Sequence, residues 1–96
     1  MGRIIKANGK KESIVPSNGK YYQLKEQRKI VGGLIQHINL MDGWIMTINE
    51  EGKLFGLPIN DIATEIYRTS IYLERGFDTS DFIVGDVLIC KSDEIR

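Results

Sequence analysis

The chain has 96 residues, of which 42% are hydrophobic and 27% are charged. This length allows one domain with a modest core, because a chain of this size buries only about 60–65% of the surface that its unfolded form exposes. Thirteen basic residues balance 13 acidic ones, so the formal net charge is zero. Proteins that bind duplex DNA usually carry a basic excess, and long nucleic acid is therefore not an expected partner.

The chain contains one cysteine, Cys90, and one histidine, His37. An internal disulfide is therefore excluded, and so is a zinc site built from cysteine and histidine. Cys90 lies in the apolar run VLIC and is predicted to be a small buried hydrophobe, as suits a reducing cytoplasm. No apolar run is long enough to span a membrane, so we expect a cytoplasmic protein without a membrane partner. No cofactor is predicted.

The first third of the chain predicts two strands and a helix. Residues 3–7 and 11–15 are the strands, and Asn8-Gly9 between them is a strong hairpin signal. Residues 20–31 carry an apolar stripe at helical spacing. The helix should end at Gly32, because glycine readily adopts the positive φ of a helix C-cap.

The remainder predicts a hairpin, a second helix and a late strand. Residues 34–40 alternate between apolar and polar and should pair with residues 44–48 across a tight turn. Asn60 is a plausible N-cap for a helix over residues 61–68. Residues 69–73 fit more than one state, and residues 82–90 are β-rich with a bulge expected at Gly85.

These elements give the order β-β-α-β-β-α-β over residues 1–91, with a frayed tail at 92–96. The predicted fold is a single α+β domain with a mostly antiparallel sheet and two short helices on one side. Such an arrangement leaves the other sheet face uncovered, and Trp44, Met46 and Ile48 could line it. We therefore predict a homo-oligomer, most simply a two-fold dimer.

The residue types that could carry catalysis do not form a recognisable site. Glu50, Glu51, Asp61 and Glu65 could supply a general acid and base, but such carboxylates usually work in a pocket that shifts their pKa. Two acids beside a glycine in a turn are more simply solvent-facing. No serine lies in a nucleophile elbow, and no Walker loop is present. The expectation is a protein without enzymatic activity.

An excess of basic residues lies between positions 3 and 29, where aromatic and basic side chains interleave. Tyr21 and Tyr22 could stack a base while Lys25 or Arg28 pairs with phosphate. A solvated amphipathic helix with one tyrosine in the core would have the same pattern. Both interpretations remain open at this level.

The stretch NEEGKLFGLPIN, residues 49–60, leads from a predicted strand into a predicted helix. The free N–H groups of a helix start attract anions, so a phosphate could bind there beside Lys53. Asn49 and Asn60 would then supply amide hydrogen bonds. Alternatively, the two amides only hold the turn together.

Several motifs together resemble a small family carried by bacteriophages and mobile elements and described only as a domain of unknown function. They are VGG at 31–33, DG at 42–43, NEEGKL at 49–54, LPIN at 57–60 and IVGD at 83–86. The resemblance implies a setting and no transferable activity. Small phage proteins without enzyme motifs often act on the infected bacterial host by binding, and some sequester the nucleotide signals of host defence systems such as Thoeris or CBASS.

The resulting hypothesis is a phage protein that sequesters a host immune signal of the cyclic nucleotide or cyclic ADP-ribose type. The alternatives are a protein-interaction module that inhibits a host defence enzyme, and a hydrolase that degrades such a signal. The predicted ligand-binding residues are Asn49, Lys53, Asn60, Tyr21, Tyr22, Lys25 and Arg28.

Overall fold

The computed structural model describes residues 1–95, which form five strands and two α-helices joined by turns and loops. The helices are α1 (Leu24–Val31) and α2 (Asp61–Arg75). The strands are β1 (Gly2–Ile5), β2 (Lys11–Ile14), β3 (Ile35–Asn39), β4 (Trp44–Asn49) and β5 (Val87–Lys91). The predicted order of elements and the α+β class are confirmed.

All five strands belong to one antiparallel sheet with the order β2-β1-β5-β4-β3. Strand β5 lies in the centre, where Ile89 is opposite Arg3 of β1 on one side and opposite Met46 of β4 on the other. The sheet therefore consists of two hairpins, β1–β2 and β3–β4, that are joined only through β5.

The two helices cover opposite faces of this sheet, so the prediction of both helices on one side is wrong. Val87 packs in a core with Ala63 of α2, whereas Leu88 packs in a second core with Ile30 of α1. Consecutive residues of a strand point to opposite faces, which places α1 and α2 on different sides. A strand in this position is buried twice, which explains the unbroken apolar run VLIC.

The core on the α2 face is the larger one and includes Met46, with Ile48 packed against it. These two residues are therefore covered by the protein's own helix and do not form the open face that was predicted. Trp44 is the member of that group that remains exposed. On the α1 face, Cys90 is fully buried, as its surroundings in the sequence predict.

Several element boundaries differ from the prediction, and α1 begins at Leu24 rather than at residue 20. Helix α2 continues past residue 68 to Arg75 and ends at Gly76, which has a φ of 77°. The late strand is shorter than predicted and begins at Val87, because Gly85 takes a φ of 75° and interrupts the extended backbone. Residue Val84 forms only an isolated bridge with Ile59.

Residues 92–95, which were predicted to fray, are tied to the domain. Ser92–Glu94 form a short 3-10 helix, and Ile95 packs against the core on the α1 face. The carbonyl of Glu94 accepts a hydrogen bond from Tyr22 N at 2.6 Å, and its carboxylate pairs with the ammonium group of Met1. Arg96 lies outside the described residues.

Candidate functional site

Asn60 is the N-cap of α2, as predicted, and its side chain is only 1% exposed. Its Oδ1 accepts from the backbone N–H of Ala63 at 3.0 Å. Its Nδ2 donates to the carbonyls of Ile5 at 2.9 Å and Gly85 at 2.8 Å. The fold therefore uses both hydrogens of Nδ2, and the amide is buried too deeply to contact a ligand.

Asn49 has the same structural role at the other end of the stretch. Its buried Nδ2 donates to the carbonyl of Val31 at 3.2 Å, and its Oδ1 accepts from Glu51 N at 2.9 Å. In the structure, both amides make hydrogen bonds that hold the chain together, which is the second of the two interpretations of these residues.

Lys53 is exposed, but its charge is already compensated. Its ammonium group pairs with the carboxylate of Asp81 and lies 4.4 Å from the ring centroid of Phe82. The hydrogen bond from Lys53 lowers the pKa of the Asp81 carboxyl. A phosphate at Lys53 would have to compete with this carboxylate.

The two tyrosines have different positions. Tyr22 is fully buried, and its hydroxyl donates to the carbonyl of Ile14 at 2.9 Å. Burial raises the pKa of Tyr22 to about 12. A base cannot stack on a ring inside the core, so Tyr22 is the core tyrosine of the amphipathic interpretation. Tyr21 is half-buried before α1, and its stacking role stays a prediction.

Lys25 and Arg28 are exposed on α1. Asn60 begins α2, on the other face of the sheet. One protomer therefore does not gather the predicted groups around a single ligand. A ligand at the Asn60 end would need Lys25 or Arg28 from a neighbouring copy of the chain, whereas Asn49, at the other end, contacts α1 through Val31.

A groove of about 800 Å³ lies elsewhere, between α2 and the β1–β2 side of the sheet. Its volume is within the range of about 300–1,000 Å³ that is usual for small-molecule sites. The groove exists because α2 packs over the central strands and leaves the outer hairpin uncovered. Its apolar lining comes from both layers and includes Ile5, Leu40, Ile62, Ile66 and Ile89.

Two cations border this groove. Arg3 and Lys11 are exposed and line it from β1 and β2, and neither has an ion-pair partner within residues 1–95. Arg3 is directly opposite Ser13, so Lys11 is its diagonal neighbour across the hairpin. Diagonal neighbours lie roughly 7–8 Å apart, and two long side chains at that spacing can converge on one anion.

Trp44 lines the same groove and is 37% exposed. The ammonium group of Lys91 lies 4.3 Å from its ring centroid and donates to the carbonyl of Asp42 at 3.2 Å. Lys91 therefore fixes the indole and adds a third positive charge beside the groove. An indole surface next to free cations suits a ligand that has both a flat ring and negative charge.

A second depression, between α1 and the β1–β2 hairpin, has a volume of about 480 Å³. Its lining carries the acids Glu12, Glu26 and Asp86 and the bases Lys6 and Lys29, and Lys6 pairs with Glu12 at 3.7 Å. The groove on the α2 face is the better candidate for binding an anion, because bases outnumber acids in its lining, whereas acids outnumber bases in the second depression.

Sequence reasoning missed this groove because its residues are scattered along the chain. Only one signal pointed toward it: Arg3 and Ile5 share a strand face, as do Lys11 and Ser13. That pattern places basic groups on an apolar face of the hairpin, but the missing helix cover is visible only in three dimensions.

The fold and the groove define a small α+β domain with an open site of small-molecule size. The chain belongs to the family described as Domain of unknown function (DUF3846), whose model matches residues 1–95. No curated protein and no solved structure matches the chain. Within residues 1–95, no helix is long and apolar enough to cross a membrane, and no group of metal-ligating side chains forms a metal site.

Proposed function

We propose that the protein binds a small, nucleotide-like anion in the α2-face groove and releases it unchanged. One observation carries this proposal: Arg3 and Lys11, which have no ion-pair partner within residues 1–95, border an apolar groove of about 800 Å³ that also exposes the indole of Trp44. A phosphate group and a flat ring are the two parts of a nucleotide that such a site would recognise.

The anion end of the ligand would lie over the β1–β2 hairpin. Arg3 presents a planar fork of donors that matches two phosphate oxygens, and Lys11 adds a point charge from the adjacent strand. The apolar surroundings lower the local dielectric, which strengthens these contacts relative to contacts on an open surface.

The ring end would lie against Trp44. Stacking of a base on an aromatic side chain contributes about 1–3 kcal/mol and tolerates different bases. The groove would therefore discriminate nucleotide-like ligands from other molecules more strongly than it discriminates one base from another.

In the phage setting that the resemblance implies, the bound molecule would be a host immune signal of the cyclic nucleotide or cyclic ADP-ribose type. Binding without degradation would lower the free concentration of that signal in the infected bacterium. This role rests on the setting, whereas the ligand class rests on the groove.

A specific observation also favours a second function, inhibition of a host defence enzyme by direct contact. The loop between β4 and α2 exposes 78% of Leu54 and 64% of Phe55. The loop is held in shape by backbone hydrogen bonds, from Phe55 N to Glu51 O and from Leu57 N to Gly52 O. A fixed turn that presents two large apolar side chains is a surface suited to contact with another protein.

Thermal-shift measurements with AMP, cyclic di-AMP and cyclic ADP-ribose test the first proposal. A ligand at 100 times its Kd should stabilise the protein by about 2.7 kcal/mol. Heat denaturation of the complex should then release the ligand intact. A degraded product would instead identify a hydrolase.

Four charge reversals locate the site. Arg3→Glu and Lys11→Glu should each weaken binding about tenfold or more, because a charge-assisted contact becomes repulsion. Arg28→Glu on α1 and Lys53→Glu on the 49–60 loop are the matched controls and should bind as the parent does. The reverse result would restore the site predicted from the sequence. If no nucleotide binds, the proposal fails and the contact function of Leu54 and Phe55 becomes the better one.

A further inference from the structure

We infer that Glu65 fixes the orientation of the ligand in the groove and selects molecules that carry a hydrogen-bond donor opposite their phosphate. This inference rests on the proposed function and states which end of the ligand lies against which wall of the groove. It concerns the wall formed by α2, which faces the two cations of the hairpin.

Glu65 belongs to the stripe of α2 that lines the groove. Ile62, Glu65, Ile66 and Thr69 follow one another at positions i, i+3, i+4 and i+7, the spacing of a single helix face. Within this stripe Glu65 is the only charged residue. Glu65 and Thr69 are exposed, so the carboxylate lies on the open side of the groove, where a bound ligand can reach it.

The carboxylate of Glu65 has no hydrogen bond or ion pair within residues 1–95, although Arg3 and Lys11 line the same groove. The groove therefore has a negative charge on its α2 wall and positive charges on its hairpin wall, and these groups do not pair with one another. A site with separated charges of this kind is complementary to a ligand with separated polar ends.

The two walls of the groove differ in hydrogen-bonding capacity, and this difference sets the orientation of the ligand. Arg3 and Lys11 can only donate hydrogen bonds, whereas an ionised Glu65 can only accept them. Phosphate oxygens are acceptors, so they are attracted to the hairpin and repelled by α2. A ring hydroxyl or an exocyclic amine is the group that Glu65 can bind.

The substitution Glu65→Gln tests this assignment with little effect on the helix, since the two residues have similar helix propensities. The probes are AMP, 2′,3′-dideoxy-AMP, IMP and inorganic pyrophosphate. Glu65→Gln should weaken AMP binding about fivefold, because a charge-assisted hydrogen bond becomes a neutral one. It should strengthen pyrophosphate binding, because a repulsive charge is removed. Glu74→Gln, an exposed glutamate of α2 outside the groove, is the matched control and should change neither affinity.

The two analogues identify the donor. If Glu65 binds the ring hydroxyls, its substitution should not weaken binding of 2′,3′-dideoxy-AMP; if it binds the amine, its substitution should not weaken binding of IMP. Equal losses for AMP and both analogues would overturn the inference, and so would unchanged AMP binding by Glu65→Gln. In both cases the parent still binds AMP, so the proposed function stands. A parent that binds none of the probes would overturn the proposed function and this inference together.

Discussion

The Nδ2 atom of Asn60 donates to the carbonyl of Ile5 at 2.9 Å, across 55 residues of sequence. This contact joins the first turn of α2 to β1, which form the two sides of the groove. The residue that begins the helix therefore also sets the position of the helix over the sheet. The role of Asn60 is more extensive than helix capping alone.

Asn60→Ala should lower the free energy of unfolding by about 3 kcal/mol or more. The lost N-cap accounts for about 1 kcal/mol, and the loss of the two buried hydrogen bonds to the carbonyls of Ile5 and Gly85 costs about 1 kcal/mol each. Urea denaturation measures the change. Asn60→Asp separates the contributions, because aspartate keeps the capping oxygen and removes both donors. If Asn60→Ala costs only about 1 kcal/mol, the buried donors do not contribute as described.

Gly85→Ala should destabilise the protein more than Gly19→Ala does. Both glycines have positive φ, 75° and 78°, so alanine is strained by a similar amount at each. A Cβ at Gly85 would lie 2.9 Å from Cδ1 of Leu57, whereas one at Gly19 would meet no atom within 4 Å. Thermal denaturation should therefore show a difference of about 1–3 kcal/mol in the free energy of unfolding between the two variants. This difference reports the close packing of Leu57 against Gly85. Equal effects would contradict that packing.

Cys90 should be inert toward thiol reagents in the folded protein. Its side chain is fully buried, and burial raises the pKa of the thiol to about 12. The reactive thiolate is therefore scarce as well as inaccessible. Ellman's reagent should react with one thiol per chain in denaturant and with almost none in native buffer. Rapid reaction under native conditions would show that the α1 face opens readily.

Acidification should destabilise the fold through His37. Its Nε2 lies 2.6 Å from Oε1 of the buried Gln27, and burial lowers the pKa of His37 from the ordinary value of 6.5. The unfolded chain then binds the proton more tightly than the folded chain. The stability that depends on neutral His37 is therefore complete above pH 6.5 and is lost as the pH falls below it. Urea denaturation at pH 7.5 and pH 5.5, repeated on His37→Gln, should show a smaller pH effect in the variant. An equal effect in both proteins would assign it to other groups.

The two-fold dimer predicted from the sequence remains a prediction, but its original reason no longer applies. Helices cover both sheet faces, so a dimer would have to bury another surface, and the exposed Leu54 and Phe55 are the best candidates. Light scattering should give about twice 10.9 kDa, and Phe55→Ser should reduce that value. A parent mass near 10.9 kDa at micromolar concentration would contradict the prediction.

Local signals in the sequence predicted the local structure well. Gly32 ends α1 with a φ of 81°, and Asn60 accepts the capping hydrogen bond, because both effects depend on residues close in sequence. The end of α2 was missed because it depends on a distant contact. Ser70, in a segment with several weaker helix formers, accepts from Met41 N at 2.8 Å, and this packing favours the helix beyond residue 68.

The site was harder to predict because sequence periodicity shows which residues share a face but not which elements share a side. Lys25 and Arg28 were grouped with Asn60 on the assumption that both helices lie on one side of the sheet. The two helices lie on opposite sides, because Val87 of β5 packs with α2 and Leu88 with α1. The charge opposition of Arg3 and Glu65 likewise arises only when α2 packs on the sheet face that Arg3 shares.

The central position of β5 also bears on how fast the chain can acquire its structure. Each hairpin forms from neighbouring residues, but an isolated two-stranded hairpin is at best marginally stable in water. Neither hairpin is stabilised by the sheet until β5 pairs with it. One of these pairs, Arg3 with Ile89, joins residues that are nearly the full length of the described chain apart. Closing so long a loop costs entropy before any contact compensates for it, so folding should be slow and all-or-none. Until that closure, the apolar edges that β5 will cover stay open to pairing between chains, and aggregation during refolding should rise with protein concentration.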